Sequence, residues 1–413
     1  MSKINLLETR DFYLNRKEAK MGDEQTVSLL LRGRNGLTEL THSGKNYAEC
    51  IGHALQLQNL LNPGERVLMV GDGLGYNSES LHMCVPDVEF IGLELSPRLI
   101  EAQQRRNPWQ TIISGNVMKL SHLVRPEEFS GILLNEVVAD LPVLEIDRFV
   151  FEHLMTIKQS NPSLLDDPQY IQDFIKTFGL RNNRRLLKEF LTLISKYQYP
   201  YPKKIEGKNI YINSGVVHLL EQAAKVLPKN GYMWISEYGF TDQAEVSGPA
   251  WFSSSAEKKG HQEYSIDFGY IASVAQTLGF EVFLEPLAQT VGVKTDEFAC
   301  TAFLVNGVEI LGRYDEDQPI WLSLKEAFEK HNPIFINREV MLAIEEDSQS
   351  YKVYPEIAAR FQKWGGRMQG LFPDMNLLQL PDHQPERADY VGLSFVDLDH
   401  FFKNFYSFLA IKK

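Results

Sequence analysis

The chain has 413 residues, a formal net charge of −12 and an apolar fraction of 44%, enough for a substantial core in two domains or one enlarged domain. That acidic balance argues against non-specific nucleic-acid binding, which needs a basic face. Three scattered cysteines (Cys50, Cys84, Cys300) and ten dispersed histidines suggest neither a disulfide framework nor a metal site, and no secretory signal or long apolar run appears, so a reducing, cytoplasmic setting without a membrane span is expected.

Residues 1–61 read as an N-terminal helical or lid segment. Arg32–Gly44 is a polar loop, a surface connection or a flap over a ligand. Tyr47–Leu61 carries apolar residues at helical spacing and stops at Asn62-Pro63-Gly64, a strong breaker. Then comes Val67-Leu-Met-Val-Gly-Asp-Gly-Leu-Gly75. It reads as a buried strand, a glycine-rich turn that lets backbone approach a ligand, and a helix start with free N–H groups. A dinucleotide fingerprint would place its third glycine where Tyr76 stands. A second strand, Glu89–Leu93, leads into Glu94, a carboxylate placed to accept two ribose hydroxyls. Ser96 and Pro97 suit the cap and first position of a helix reaching Arg106. Ile112–Val117 and Phe129–Asn135 read as strands three and four. Strands alternating with helices imply a parallel sheet covered on both faces, with ligands beyond the carboxyl ends of the strands. The glycine turn, Glu94, Asn116 and Asn135 all fall at such ends.

This arrangement resembles the class I S-adenosylmethionine-dependent methyltransferases. Gly71, Gly73 and Gly75 match their first motif and Glu94 the acidic end of their second strand, while Met69 stands where they usually carry an acid. The resemblance implies an α/β fold with a seven-stranded, mostly parallel Rossmann-like sheet. It implies S-adenosyl-L-methionine as cofactor, held by Gly71, Asp72, Gly73, Gly75, Asn77, Glu94, Leu95, Asn116 and Asn135. Asn116 stands where an Asp often meets the adenine amino group; an Asn carbonyl can accept the same bond or simply cap a turn.

Leu133–Val143 is similar, more narrowly, to the MidA-like methyltransferases, which include the mitochondrial complex I assembly methyltransferase. Asn135, Glu136, Leu141, Pro142 and Val143 match their fourth-strand motif, although Ala139-Asp140 reverses its Asp-Ala order. Glu237-Tyr238-Gly239 is similar to their Asp-Tyr-Gly, and Asp267-Phe268 also fits. That likeness implies a guanidinium acceptor on a protein or peptide, with Glu136, Asp140, Glu237 and Tyr238 facing the reacting nitrogen. Carboxylates can orient such a cation or take its proton. A small-molecule methyltransferase and a cofactor-binding assembly factor without turnover are the alternatives.

The core is expected over 62–143 and 213–306, closing with strands at Trp234–Gly239, Gly279–Leu284 and Ala299–Val305. Residues 144–212 read as a helical cap insertion, with helices over Asp173–Leu180 and Arg184–Tyr197, roofing the substrate cleft. Residues 307–413 read as a helical extension, with helices at Trp321–Lys330, Asn337–Glu346 and Tyr354–Trp364. A last aromatic helix is expected over Asp397–Ile411. Its stripe is a packing face or, alternatively, a homodimer or partner-binding face.

Overall fold

Val67 and Met69 belong to one apolar cluster, Leu68 and Val70 to the other. Both faces of this strand are therefore dry, as in a sheet sandwiched between helical layers. The computed structural model describes residues 4–15, 27, 41–200, 208–241, 263–293, 297–304, 335–337, 368–372, 375–379, 390–397, 402 and 404–413.

The first ten strands in the chain are β1 (Ile4–Leu7), β2 (Arg66–Val70), β3 (Glu89–Glu94), β4 (Ile112–Ser114), β5 (Gly131–Asn135), β6 (Val143–Asp147), β7 (Asn209–Ile212), β8 (Tyr232–Phe240), β9 (Ile266–Asp267) and β10 (Phe280–Pro286). After them come β11 (Glu297–Leu304), β12 (Phe335–Asn337), β13 (Met368–Phe372), β14 (Met375–Gln379), β15 (Tyr390–Asp397) and β16 (Phe405–Lys412). The main sheet has the order β10-β16-β8-β5-β2-β3-β4, with β9 beside β8. Strands β4, β3, β2, β5 and β8 run parallel; β16 runs antiparallel to both of its neighbours. The seven strands of this path, with β9 as an eighth at the side, form the mostly parallel Rossmann-like sheet class expected from the sequence.

The helices used below are α1 (Arg10–Leu14), α2 (Tyr47–Leu57), α3 (Tyr76–Cys84), α4 (Pro97–Arg106), α5 (Leu120–Leu123), α6 (Arg148–Ser160), α7 (Pro168–Phe178), α8 (Arg184–Ser195), α9 (Ser214–Val226) and α10 (Phe268–Thr277). Several starts are fixed by side chains. Asn46 and Glu49 form a reciprocal capping box on α2, Asp147 accepts the Phe149 and Val150 amides of α6, and Asp167 does the same for α7. Each satisfies amides that the helix itself leaves open. The 144–212 insertion enters through β6, carries α6–α8, and leaves through β7. Strand β1 pairs antiparallel with β6, giving a small sheet β1-β6-β7. The amino-terminal strand is thereby tied to the cap.

Two expectations are corrected. Asp397–Ile411 does not form an aromatic helix: Phe405–Lys412 is β16, wedged between β8 and β10. Phe405, Phe408, Leu409 and Ala410 are all buried there. A strand covered on both faces loses its period-two alternation and can mimic helical spacing. The stripe is core, not a dimer face. Second, Ala299–Val305 does not close the main sheet. Glu297–Leu304 is β11, in a separate five-stranded sheet of order β12-β11-β15-β14-β13. The helices expected at Trp321–Lys330, Asn337–Glu346 and Tyr354–Trp364 lie outside the described residues, except that Asn337 ends β12. Of the Arg32–Gly44 loop only Thr41–Gly44 is described, Thr41 bridging to Val293.

Candidate active site

The turn after β2 takes left-handed backbone at Gly71 (φ 60°), Gly73 (51°) and Gly75 (86°), where a β-carbon is strained. At Gly71 a Cβ would also come 2.8 Å from Val137 Cγ2, so the exit of β5 presses on the turn. At Gly75 it would come 2.7 Å from Asn107 Nδ2, which donates to the Gly75 carbonyl. Tyr76, at the third glycine position of a dinucleotide turn, is buried with the Arg106 guanidinium 3.4 Å above its ring.

Asp72 fills the start of α3. Its Oδ2 accepts the Ser78 amide at 3.0 Å, while Oδ1 has no hydrogen-bond partner among the described residues. Burial pushes its carboxyl up to about 6, against the bonds from Ser78 and Asn77 and the charge of Arg106. The helix start is thus not open, as the sequence suggested, but already occupied by a carboxylate.

Glu94, at the end of β3, is buried. Its Oε1 accepts the Leu95 and Ser96 amides, both at 2.8 Å, and its Oε2 a longer bond from Gln103 Nε2 at 3.3 Å. Gln103 also donates to the Gly73 carbonyl, tying the acid to the turn. Burial pushes Glu94 up to about 7, more than those three donors pull it down. Asn116 follows β4; its Oδ1 accepts the Met118 amide at 2.9 Å, capping a 3-10 turn over Val117–Lys119.

Beyond β5, Asn135 is buried and accepts from the Tyr47 and Ser236 hydroxyls. Glu136 has φ 48°, donates its amide to the Ser236 carbonyl, and accepts the amide of the fully buried Val27 at 2.7 Å through Oε1. Asp140 accepts the Tyr13 hydroxyl at 2.6 Å through Oδ2, and its carbonyl accepts the Thr9 hydroxyl at 2.7 Å. Glu237 is buried, with its oxygens taking the amides of Ala139 and Tyr238. Burial, then the charge of Glu136, push its carboxyl well above the usual range. The Tyr238 ring meets Phe405 edge-on.

A cavity of about 600 Å³ opens over the carboxyl edge of the sheet. Gly71, Gly73, Glu94, Leu95, Asn116, Glu136 and Asp140 line it, so these expected residues are brought together. Asp72, Asn77 and Asn135 line a separate void of about 20 Å³ beside Tyr47. Gly75, Glu237 and Tyr238 line neither. Glu237 instead braces the Val138–Asp140 turn through Ala139. The far wall was not anticipated residue by residue: Thr9, Arg10 and Tyr13 come from the amino-terminal strap, Arg185, Glu189 and Leu193 from α8, and Ser214 and Gly215 from α9. The α8 residues recur at i, i+4 and i+8, one helical face, of which Arg185 and Glu189 form a polar pair that a search at that spacing could have found. Nothing local marks Tyr13. Among the described residues no cluster could hold a metal ion, and no helix is long and apolar enough to cross a membrane.

No protein-family model matches this chain, and no curated protein matches it. Solved structures do align. A Galdieria sulphuraria protein provisionally named a sarcosine dimethylglycine methyltransferase aligns at 11% identity over 98% of each chain, with a TM-score of 0.37. A Haemonchus contortus phosphoethanolamine N-methyltransferase, solved with S-adenosylhomocysteine, aligns at 12% identity over 87% of this chain and 52% of its own, TM-score 0.35. Human N-acetylserotonin methyltransferase, solved with S-adenosylmethionine, aligns at 10% identity over 58% of this chain and 48% of its own, TM-score 0.33. The Rossmann-like methyltransferase fold is read from the strand order above, not from these alignments.

Proposed function

We propose that the protein is an S-adenosylmethionine-dependent methyltransferase acting on the nitrogen of a small amine. One observation carries this reading: Asn116, Glu94 and the Gly71–Gly73 turn follow β4, β3 and β2, three adjacent strands, and line one cavity. That is an order suited to an adenine, a ribose and the group beyond it. Asp72 weighs against a dinucleotide. Its carboxylate sits at the α3 amino terminus, where a pyrophosphate would bind, and would repel one.

Bound there, the cofactor supplies an electrophilic methyl on a sulfonium. Gly71 and Gly73 allow close backbone approach. Glu94, pinned through Oε1 by two amides, presents Oε2 to the ribose hydroxyls. Asp140, held by Tyr13, orients the acceptor nitrogen and takes its proton. The strap, α8 and α9 limit water and align the reactants, an effect able to supply several kcal/mol of barrier lowering. These three elements line the cavity, and a volume of about 600 Å³ suits a small acceptor beside the cofactor.

The test is titration calorimetry with S-adenosylhomocysteine, followed by incubation with methyl-labelled cofactor and cell extract. Binding, with label in small solutes, is expected. Label confined to protein would restore the peptide reading, and absence of binding would end the methyltransferase reading.

A further inference from the structure

An amine that enters the cavity nitrogen-first leaves its other end at the mouth, and two arginines stand there. We propose that the methyl acceptor is an anionic amine: its nitrogen meets Asp140, and its carboxylate or phosphate is held by Arg185 of α8 and Arg10 of the strap. The assignment rests on the small-amine reading above.

In four-residue steps the cavity face of α8 passes from exposed Arg185 to half-buried Glu189 to buried Leu193. The helix thus sets its cation at the mouth and its acid deeper. Arg10 is exposed too and lines the same cavity. The strap that carries it is fastened to the start of α8, where Asn183 Nδ2 donates to the Ile4 carbonyl at 2.6 Å. Neither guanidinium is engaged by the protein itself. Arg66, Arg98, Arg106 and Arg148 each bond a carboxylate at 2.7–3.3 Å; among the described residues Arg10 and Arg185 bond none. The cap supplies its own control. Arg148 and Glu152 stand four apart on α6 and bond at 2.7 Å. Arg185 and Glu189 stand four apart on α8, in the same order, and do not. The Arg185 side chain borders the cavity instead. A planar guanidinium with five donors matches the oxygens of a carboxylate or phosphate in pairs.

The charge around the mouth favours the same class. Arg181, Arg184 and Lys188 are exposed and recur with Arg185 at helical spacing, so four cations face one acid, Glu189, over residues 181–189. Arg184 and Arg185 lie in the first turn of α8, which holds no acid. Cations there oppose the helix dipole, so helix stability does not account for them. On the strap, Glu8 is the one acid that lines the cavity. The insertion 144–212 has 11 Lys and Arg against 8 Asp and Glu, a net +3 within a chain of −12. An anion repelled by the rest of the surface is drawn to this side.

The experiment titrates the full chain, saturated with S-adenosylhomocysteine, by calorimetry. The probes are ω-amino acids from glycine to γ-aminobutyrate, the corresponding aminoalkyl phosphates, and plain alkylamines of the same lengths. The same series is then offered with methyl-labelled cofactor. One anionic series is expected to bind about tenfold or more tighter than its plain counterparts, the scale of one charge-assisted bond, with kcat/KM in the same order. Which series binds tells carboxylate from phosphate. The preference should shrink as salt is raised. Arg185→Gln should cut it about tenfold, and Arg185→Lys, which keeps the charge without the fork, should recover part of the loss; thermal melts check that both variants fold. Plain amines that bind as tightly as their anionic counterparts overturn the assignment. So does a preference unmoved by Arg185→Gln, or a chain that binds S-adenosylhomocysteine and no anionic amine. If S-adenosylhomocysteine itself does not bind, the methyltransferase reading fails first and the assignment with it.

Discussion

The two walls of the cavity are built in opposite ways. The wall carrying Gly71, Glu94 and Asn116 comes from one continuous stretch, each residue standing at the end of its own parallel strand. The facing wall gathers Tyr13, Asp140, Arg185 and Ser214 from four separate segments. Its hydrogen bonds span the sequence: Tyr13 reaches Asp140, and Asn183 donates to the Ile4 carbonyl. One wall follows from a repeated strand-turn-helix pattern, the other from contacts between a strap and an insertion. Binding of cofactor and turnover of acceptor should therefore be separable by substitution.

The largest separation is expected from Gly71→Val. Its φ of 60° and the Val137 methyl 2.8 Å from its Cβ position leave no room for a side chain. Affinity for S-adenosylhomocysteine should fall by about 100-fold, with stability lowered by about 1–3 kcal/mol from strain. Gly179→Ala is the control: its φ is 68°, but no atom lies within 4 Å of its Cβ position, so only about 1 kcal/mol should be lost with affinity intact. Calorimetry and thermal melts read both.

On the facing wall, Asp140→Asn should lower the rate of methyl transfer by about 100-fold or more and leave S-adenosylhomocysteine affinity unchanged. If both fall together, the walls are not independent.

Glu94 gives a sharper test because two slopes oppose. Its folded value, about 7, lies above the ordinary 4.5, and that of Asp72, about 6, above 3.8. A carboxyl raised on folding favours the folded state when protonated. That stability is fully present below the unfolded values and is lost as pH rises through about 6 to 7. The melting temperature of the cofactor-free protein should thus carry a downward contribution between pH 5 and 8. Affinity for S-adenosylhomocysteine should rise over the upper part of that window, as Glu94 ionises and both ribose hydroxyls can donate to it. Glu94→Gln should flatten much of the first slope and all of the second, at a cost of about tenfold in affinity. Parallel slopes would reject the ribose assignment.

The smallest effect is expected from Tyr13→Phe. Loss of its 2.6 Å bond to Asp140 should weaken acceptor binding by about 1 kcal/mol, seen as a severalfold rise in KM with cofactor affinity untouched.

What could be read from residues alone follows the same division. Pro97–Arg106 was bounded to the residue with Pro97 in its first turn, although the expected Ser96 cap is not made: the Ser96 side chain accepts no amide of this helix. The glycine turn and Glu94 were legible because spacing along one βα unit fixes their positions. Glu237 was expected to face the acceptor and instead lines neither cavity: an acid at a strand end looks the same in sequence whether it meets a ligand or braces a neighbouring turn through Ala139. Tyr13 could not be found, since its meaning lies in Asp140, far along the chain. The identity of the seventh strand was also hidden. Glu297–Leu304 and Phe405–Lys412 are both apolar and of strand length, and only tertiary pairing decides which enters the main sheet.

That late strand has a consequence for how the protein is made. Until Phe405–Lys412 slots in, β8 and β10 each present an open hydrogen-bonding edge. During synthesis the β2–β5 half of the sheet can assemble early from neighbouring segments, but the gap between β8 and β10 must wait for a partner translated long after Phe240. Closure across so long a loop is slow, and bare sheet edges invite pairing with other chains. The nascent protein thus passes through a prolonged interval of vulnerability to aggregation, one that a chaperone shielding that gap would shorten.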